Sequence, residues 1–353
     1  MMSNDLCEEL IDDIFSRLPT KSLLRFRSVS KSLYACIGSP EFIRLHILRS
    51  PTEKIMLIHD IREGEKDWRN TYTLHLEDQF PYNINIGITT PVVYHFGQFK
   101  ILGSCNGIVC LYEFGKSINL WNPSIRRKVN VHYPPSWGNM CFVFEFGFGF
   151  DPVIDDYKIL RITTPTSFIY TVKTHTWREI APPTTSAFHT VNSFHCLFNG
   201  ALHCTVIGNV LDYYYNYYLL KFDLSSEVFS KIELPEPSWE TSAVTVIKGS
   251  LAVFSSEPDQ ENSLIWVMRD YSNPASWSVA FKLKTHRLDT AWRVFPLTAS
   301  DELLLDLYLD KIQVYNPESH ERSKFMGLGD SSQVVGFIKC IESLGLLDIG
   351  ILC

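Results

Sequence analysis

Beyond residue 50 the sequence repeats itself. Apolar or aromatic strand segments run into polar turns near Tyr72, Trp121, Tyr170, Phe222, Val267 and Tyr315, at steps of 49, 49, 52, 45 and 48 residues. The turns are alike in kind: Trp121-Asn122-Pro123-Ser124, Tyr170-Thr171-Val172-Lys173-Thr174, Phe222-Asp223-Leu224-Ser225-Ser226 and Tyr315-Asn316-Pro317-Glu318-Ser319. In each, a bulky residue ends a strand and turn-forming residues follow. Hairpin signals precede several of them, at Cys105-Asn106-Gly107, Asn199-Gly200 and Lys248-Gly249-Ser250. Asn-Gly supplies the positive φ angles that a tight hairpin requires. Six copies at this spacing suit four-stranded blades and predict a six-bladed β-propeller over residues 51–353. The segment Val334–Ile338 is expected to lend a strand to the blade begun by Ile55–Ile58, closing the ring and covering an edge. A two-sheet β-sandwich shares the strand content and stands as the alternative, although it demands no fixed period.

The first fifty residues follow a different rule. Leu6, Leu10, Ile11, Ile14, Phe15 and Leu18 recur at steps of three and four, which places them on one face of a helix. Asp5 can cap it, with Glu8 three residues on, and Pro19 ends it. Thr20 can cap a second helix carrying Leu23, Leu24, Phe26 and Val29, and Ser39-Pro40 opens a third with Phe42, Ile43, Leu45 and Ile47. Three short helices bury too little to stand alone, so the module must dock on the rest of the chain or on a partner. Periodicity by itself leaves a plain helical cap on the β domain equally open.

The order of residues supplies more. Leu6, Leu10, Ile14-Phe15 and Leu18-Pro19, then Lys21-Ser22-Leu23-Leu24-Arg25-Phe26-Arg27 and Val29-Ser30-Lys31-Ser32, resemble an F-box. That is the helical module that binds the Skp-type adaptor of cullin-based SCF ubiquitin ligases, and the run from Leu18 to Arg27 is typical of the large plant group. Two departures stand out. Leu6-Cys7 replaces the family's usual Leu-Pro and loses a rigid helix start. Lys31-Ser32-Leu33 replaces Lys-Ser-Trp and removes a large aromatic surface with its N–H donor. The resemblance implies adaptor contacts at Leu6, Leu10, Ile14, Phe15, Leu18, Pro19, Ser22, Leu23, Val29, Ser30, Lys31 and Leu33.

Residues 51–353 in turn resemble the F-box-associated, kelch-like propeller domain of plant F-box proteins. Leu102-Gly103-Ser104-Cys105-Asn106-Gly107-Ile108-Val109-Cys110-Leu111 with Leu120-Trp121-Asn122-Pro123-Ser124 is similar to its signature. So are Phe146-Gly147-Phe148-Gly149-Phe150-Asp151 with Asp155-Asp156-Tyr157-Lys158, Asn199-Gly200-Ala201-Leu202-His203, and Trp266-Val267-Met268 leading to Ser276-Trp277. Cys204 departs from the Trp that commonly follows Leu-His. Such a domain is expected to hold a target protein for ubiquitination, with cullin and RING subunits reached through the adaptor.

Composition narrows the alternatives. The 353 residues are 45% apolar and 20% charged, enough for one large β domain and a small helical one. No apolar run is long enough for a membrane span, and five acids within residues 1–15 are unlike a signal peptide. The nine cysteines lack paired short spacing and read as buried thiols. The expected location is therefore cytoplasm or nucleus. Residues 1–50 carry a net charge of +1 and the remainder −8. Every charge between Ile14 and Pro40 is basic, which suits an acidic adaptor surface as well as a plain solvated helix face. The acidic large domain argues against nucleic acid.

Candidates for chemistry are few. His195-Cys196 and His203-Cys204 fit no zinc spacing and read as packed hairpin residues. Asp155-Asp156 sit in a turn, where they make a poor acid/base pair, and Asp151 and Asp155 read as turn caps. No nucleophile elbow or phosphate loop occurs. The expectation is a protein without catalytic residue, metal or cofactor. The rivals are a propeller enzyme with a helical cap and an F-box protein that binds targets without ligase function. For target binding, Tyr213, Tyr214, Tyr215 and Tyr217 form a dense cluster, set against a loop with half its rings buried. The acidic stretch Ser255–Asn262 suits a basic target or simple solvation.

Overall fold

The computed structural model describes residues 8–50, 54–63, 67–76, 87–89, 99–113, 117–132, 145–163, 166–183, 189–190, 195–207, 217–235, 240–256, 262–284, 291–297, 302–307, 311–324 and 332–349. Its N-terminal part holds four helices: α1 (Glu8–Phe15), α2 (Thr20–Arg27), α3 (Lys31–Gly38) and α4 (Pro40–Arg49). The expected count of three is corrected by α3, which Ser30 starts by accepting a hydrogen bond from the Leu33 amide at 3.1 Å. Ser39 caps α4 in the same way, with Pro40 in its first turn. Thr20 does not cap α2; Pro19 precedes that helix, and the Thr20 hydroxyl turns to Glu342 instead.

The rest is antiparallel β-structure. In chain order the strands are β1 (Lys54–Glu63), β2 (Asp67–Leu76) and β3 (Gly87–Thr89), then β4 (Phe99–Cys105), β5 (Ile108–Glu113), β6 (Ser117–Asn122) and β7 (Arg127–Val131). Next come β8 (Glu145–Asp151), β9 (Asp156–Ile162), β10 (Ser167–Thr171) and β11 (Thr176–Ile180), and β12 (His189–Thr190), β13 (Cys196–Phe198), β14 (Ala201–Ile207), β15 (Tyr217–Asp223) and β16 (Phe229–Glu233). The last are β17 (Glu240–Ile247), β18 (Ser250–Ser256), β19 (Asn262–Met268) and β20 (Trp277–Lys284), β21 (Ala291–Leu297), β22 (Glu302–Leu307), β23 (Lys311–Tyr315) and β24 (Arg322–Lys324), and finally β25 (Ser332–Cys340).

Among the described residues, blades made of consecutive strands number five: β4–β7, β8–β11, β12–β16, β17–β20 and β21–β24. The sequence expectation of six such repeats is corrected to that extent. The remaining sheet joins the two ends of the chain, in the order β25-β1-β2-β3, with Met56 opposite Ile338 and Ile58 opposite Gly336. The strand exchange expected for Val334–Ile338 is thus present. Edge strands of neighbouring sheets lie side by side: β25 with β4, β4 with β8, and β17 with β21. Apolar faces stacked between sheets supply the core, for example Leu102, Ile108, Leu120, Phe146, Phe148 and Ile159.

The hairpin signals do what their chemistry requires. Asn106 and Gly107 adopt φ values of 52° and 74°, and Asn199-Gly200 and Lys248-Gly249 do the same. A second regularity was not read from the sequence. Five residues beyond each of Trp121, Tyr170, Phe222 and Tyr315, a non-glycine residue takes positive φ: Arg126, His175, Glu227 and His320. In two of these turns the histidine also meets the anchor hydroxyl, Tyr170 to His175 at 3.2 Å and Tyr315 to His320 at 2.8 Å.

Candidate functional site

The helices complete their core with residues from the far end of the chain. Leu23, Ile37 and Phe42 are fully or almost fully buried against Leu344 and Leu347. This is how so small a module escapes the marginality of its own size: it borrows apolar surface. Leu346, between those two positions, takes a positive φ of 67° and points into the core between the sheets. The segment 341–349 therefore has helices on one side and sheets on the other.

Polar contacts fix the same segment. The Thr20 amide donates to Glu342 at 3.3 Å, and the Lys54 ammonium binds the other oxygen of that carboxylate at 2.8 Å. Burial pushes the Glu342 carboxyl up, but Lys54 and Thr20 outweigh it and hold its pKa below the usual value. Arg27 reaches both oxygens of Asp348, at 2.8 and 2.7 Å, and lies over the Tyr34 ring. The side-chain amide of Asn122, wholly buried, donates to the carbonyls of Ser343 at 2.9 Å and Gly345 at 2.7 Å. Arg127 donates to the Ile349 carbonyl. Gly107 leaves room for the crossing: a Cβ there would lie 2.5 Å from the Ile341 oxygen and from Ser343 Cβ. His46 is buried in the module, where desolvation lowers its pKa, and its Nε2 donates to the Leu18 carbonyl.

Part of what the helices leave uncovered is apolar. Leu10 is 53% exposed, Ile14 50%, Val29 71% and Tyr34 53%. Phe26 is exposed as well and stacks on Phe15, with ring centroids 5.1 Å apart. Large apolar side chains on a module this small mark a place where another surface belongs.

Comparison with known proteins gives these features a context. Residues 61–325 match the model of the F-box associated beta propeller domain, and residues 3–45 match that of the F-box domain. The chain belongs to this family. Among its relatives in Arabidopsis thaliana, F-box protein CPR1 is 25% identical over 89% of this chain and 83% of its own length. F-box protein At5g18160 is 29% identical, over 78% and 69%. F-box/kelch-repeat protein At3g23880 is 25% identical, over 76% and 77%. In fold the chain is similar to TolB from Acinetobacter baumannii, with a TM-score of 0.53 at 9% identity, covering 81% of this chain and 66% of that one.

The residues expected to touch an adaptor divide by exposure within this F-box. Leu10, Ile14, Pro19, Val29, Ser30 and Lys31 are exposed. Phe15, Leu18, Ser22 and Leu33 are half-buried. Leu6 lies outside the described residues. Leu23 is a correction: at 0% exposure, beneath Leu344 and Leu347, it belongs to the internal core and offers nothing to a partner. Phe26 and Tyr34 were missed as candidates. Phe26 was legible in the Leu-Arg-Phe-Arg run, whereas Tyr34 lies on the unforeseen α3.

The F-box-associated domain disposes of the other candidates. Cys196 pairs with His203 across the β13–β14 hairpin. Burial pushes the Cys196 thiol up to about 12 and the His203 imidazole down to about 4. His203 Nε2 sits 2.8 Å from the Tyr271 hydroxyl. Among the described residues no group of three or more His, Cys, Asp or Glu is placed to hold a metal. Asp151 caps its turn through the Val153 amide, as expected, and it also binds the buried Lys158 at 2.7 Å. Lys158 further donates to the Leu224 carbonyl and to Glu227, latching β9 onto the next sheet's turn. Asp155 takes Arg44 of α4 and Lys173, and these bonds hold its pKa low. Tyr213, Tyr214, Tyr215 and the stretch 257–261 lie outside the described residues. Tyr217 is a second correction: it is 6% exposed and packs beside Leu219 and Ile232, because it starts β15 rather than ending a loop.

Proposed function

We propose that this chain is a non-catalytic substrate receptor of an SCF-type ubiquitin ligase, acting in cytoplasm or nucleus. The exposed face of Leu10, Ile14, Phe26, Val29 and Tyr34 takes a Skp-type adaptor, which brings the cullin and RING subunits. The sheet shared by β25 and β1–β3 pairs the first and last described strands of the chain. The helices contact the turns at Pro123–Arg126 and Pro152–Asp155, the β6–β7 and β8–β9 connections, and the segment 341–349 on which they pack crosses Gly107 of the β4–β5 turn. In an antiparallel sheet alternate connections leave from opposite ends. The C-terminal ends of β5, β9 and β14 therefore lie away from the F-box, and that face is the one assigned to the target.

The observation that carries the adaptor reading is the uncovered apolar surface on helices whose core is already complete. The test is a pull-down of the full chain with a purified Skp-type adaptor, beside an Ile14→Asp/Val29→Asp double variant. Both residues are exposed, so the variant keeps its fold and its melting transition. Binding lost in the variant supports the proposal; equal capture of both proteins, or of neither, refutes it.

A further inference from the structure

We infer that Asp348, in the C-terminal segment, is a positioning residue for adaptor binding: it holds Arg27, and Arg27 seats the exposed ring of Tyr34 for the adaptor. The inference rests on the adaptor reading above and adds to it a link from the far end of the chain to the adaptor face.

Three side chains form the link. Both carboxylate oxygens of Asp348 lie against Nη2 of Arg27, at 2.8 and 2.7 Å. The Arg27 side chain is only 11% exposed. Its Nε donates to the Tyr34 carbonyl at 3.3 Å, and its guanidinium carbon stands 3.9 Å from the centre of the Tyr34 ring. One planar cation thus grips both the backbone and the side chain of Tyr34 while a carboxylate from the other end of the chain anchors it. Stacking of this kind needs a guanidinium, because the ammonium of lysine is a point charge without a flat face. Gly38 leaves room for the pair: a Cβ there would lie 3.0 Å from both Arg27 Nη2 and Asp348 Oδ2.

The ring seated on this platform is 53% exposed. Tyrosine is among the side chains that carry most of an interface's binding energy. A ring free to turn loses that freedom when a partner covers it, whereas a ring already seated does not, and the difference appears as affinity. Without Asp348, Arg27 exchanges its anchor for water and Tyr34 loses its platform. A role limited to holding the junction together would act whether or not Tyr34 is present. A positioning role disappears with the ring.

The experiment measures the affinity of the full chain for a purified Skp-type adaptor by calorimetry, at high salt, where steering by surface charge is screened. Asp348→Asn is expected to weaken binding about fivefold, since it releases one ordered side chain. Tyr34→Ala is expected to weaken it about tenfold or more, whereas Tyr34→Phe, which keeps the ring, stays close to the natural chain. The deciding comparison is the double variant Asp348→Asn/Tyr34→Ala, which should bind no worse than Tyr34→Ala alone. Losses that add in the double variant, or an affinity that Asp348→Asn leaves unchanged, overturn the inference and leave the adaptor reading standing. Failure of the natural chain to bind overturns both. Should Asp348→Asn lose its melting transition, Arg27→Lys takes its place in the same comparison with Tyr34→Ala.

Discussion

Replacing Asn122 should separate the strength of the F-box–propeller junction from that of the propeller. Its side-chain amide makes three hydrogen bonds: two donated to the Ser343 and Gly345 carbonyls, and one accepted from the Ser124 amide at 2.9 Å. Asn122→Ala removes all three, and each buried group left unpaired costs about 1–3 kcal/mol. The segment 341–349 can shift and admit water, so the expected loss is about 2–4 kcal/mol rather than the full sum. Asn122→Asp is the sharper probe. It places a second acceptor against two carbonyls, so it should be worse than Ala at neutral pH. The aspartate's folded-state pKa would be raised by burial and by those oxygens. The folded state then binds the proton more tightly than the unfolded state, so this variant regains stability as pH falls, opposite to the ordinary carboxylate case. Urea denaturation of the full chain from pH 7.5 to 5 measures the stabilities, and amide hydrogen exchange locates the damage. Exchange should quicken at Ser343–Asp348 while β14 and β15 keep their protection. If Asn122→Asp is no worse than Asn122→Ala and its pH profile runs parallel to that of the natural chain, the assigned donor role is wrong.

Other outcomes follow from single contacts. Gly107→Ala forces a Cβ to within 2.5 Å of backbone and side-chain atoms of the crossing segment and strains a φ of 74°; a loss of about 3 kcal/mol or more in urea denaturation is expected. Lys158→Met leaves Asp151 and Glu227 without their buried cation and should cost about 3–5 kcal/mol, visible as a lower melting temperature that Glu227→Gln in the same chain partly restores. His203 has its pKa depressed to about 4 in the folded state, against 6.5 as the ordinary value. Its unfolded form takes up the proton first, so its contribution is intact above pH 6.5 and falls away as pH drops toward 4. By pH 5 this amounts to about 2 kcal/mol, and His203→Gln should flatten that part of the denaturation profile.

Much of the β domain was legible because its constraints fall on residue types. A tight hairpin needs positive φ at two successive positions, which Asn-Gly tolerates and most pairs do not, so 106–107 and 199–200 announce themselves. The left-handed position five residues past each strand anchor did not. Its occupants are Arg126, His175, Glu227 and His320, because the turn constrains the backbone and leaves the side chain free for separate contacts. The helix α3 escaped because Lys31–Gly38 offers few apolar positions on its buried face, Leu33, Cys36 and Ile37. Leu23 and Tyr217 were misjudged for one shared reason: periodicity marks a residue as apolar or strand-edge without saying what lies above it.

The same reason hid the segment that joins the two parts. Residues 341–349 show neither helical nor strand period, yet Leu344 and Leu347 fill the helical core and Leu346 fills the sheet core. Positive φ at Leu346 lets adjacent leucines serve opposite sides. A linker of this composition would pass for a loose tail, but its carbonyls are taken by Asn122 and Arg127 and its carboxylates by Arg27, Lys54 and Thr20. Each of these contacts ties the F-box to the sheets through one short stretch of chain. The proposed receptor, built this way, would hold whatever its far face binds at a set distance and angle from whatever its helices bind. Rigidity of that kind follows from packing on both sides of the segment. It predicts that loosening the junction through Asn122 or Gly107 would impair ubiquitin transfer to a bound target before it impaired binding of either partner.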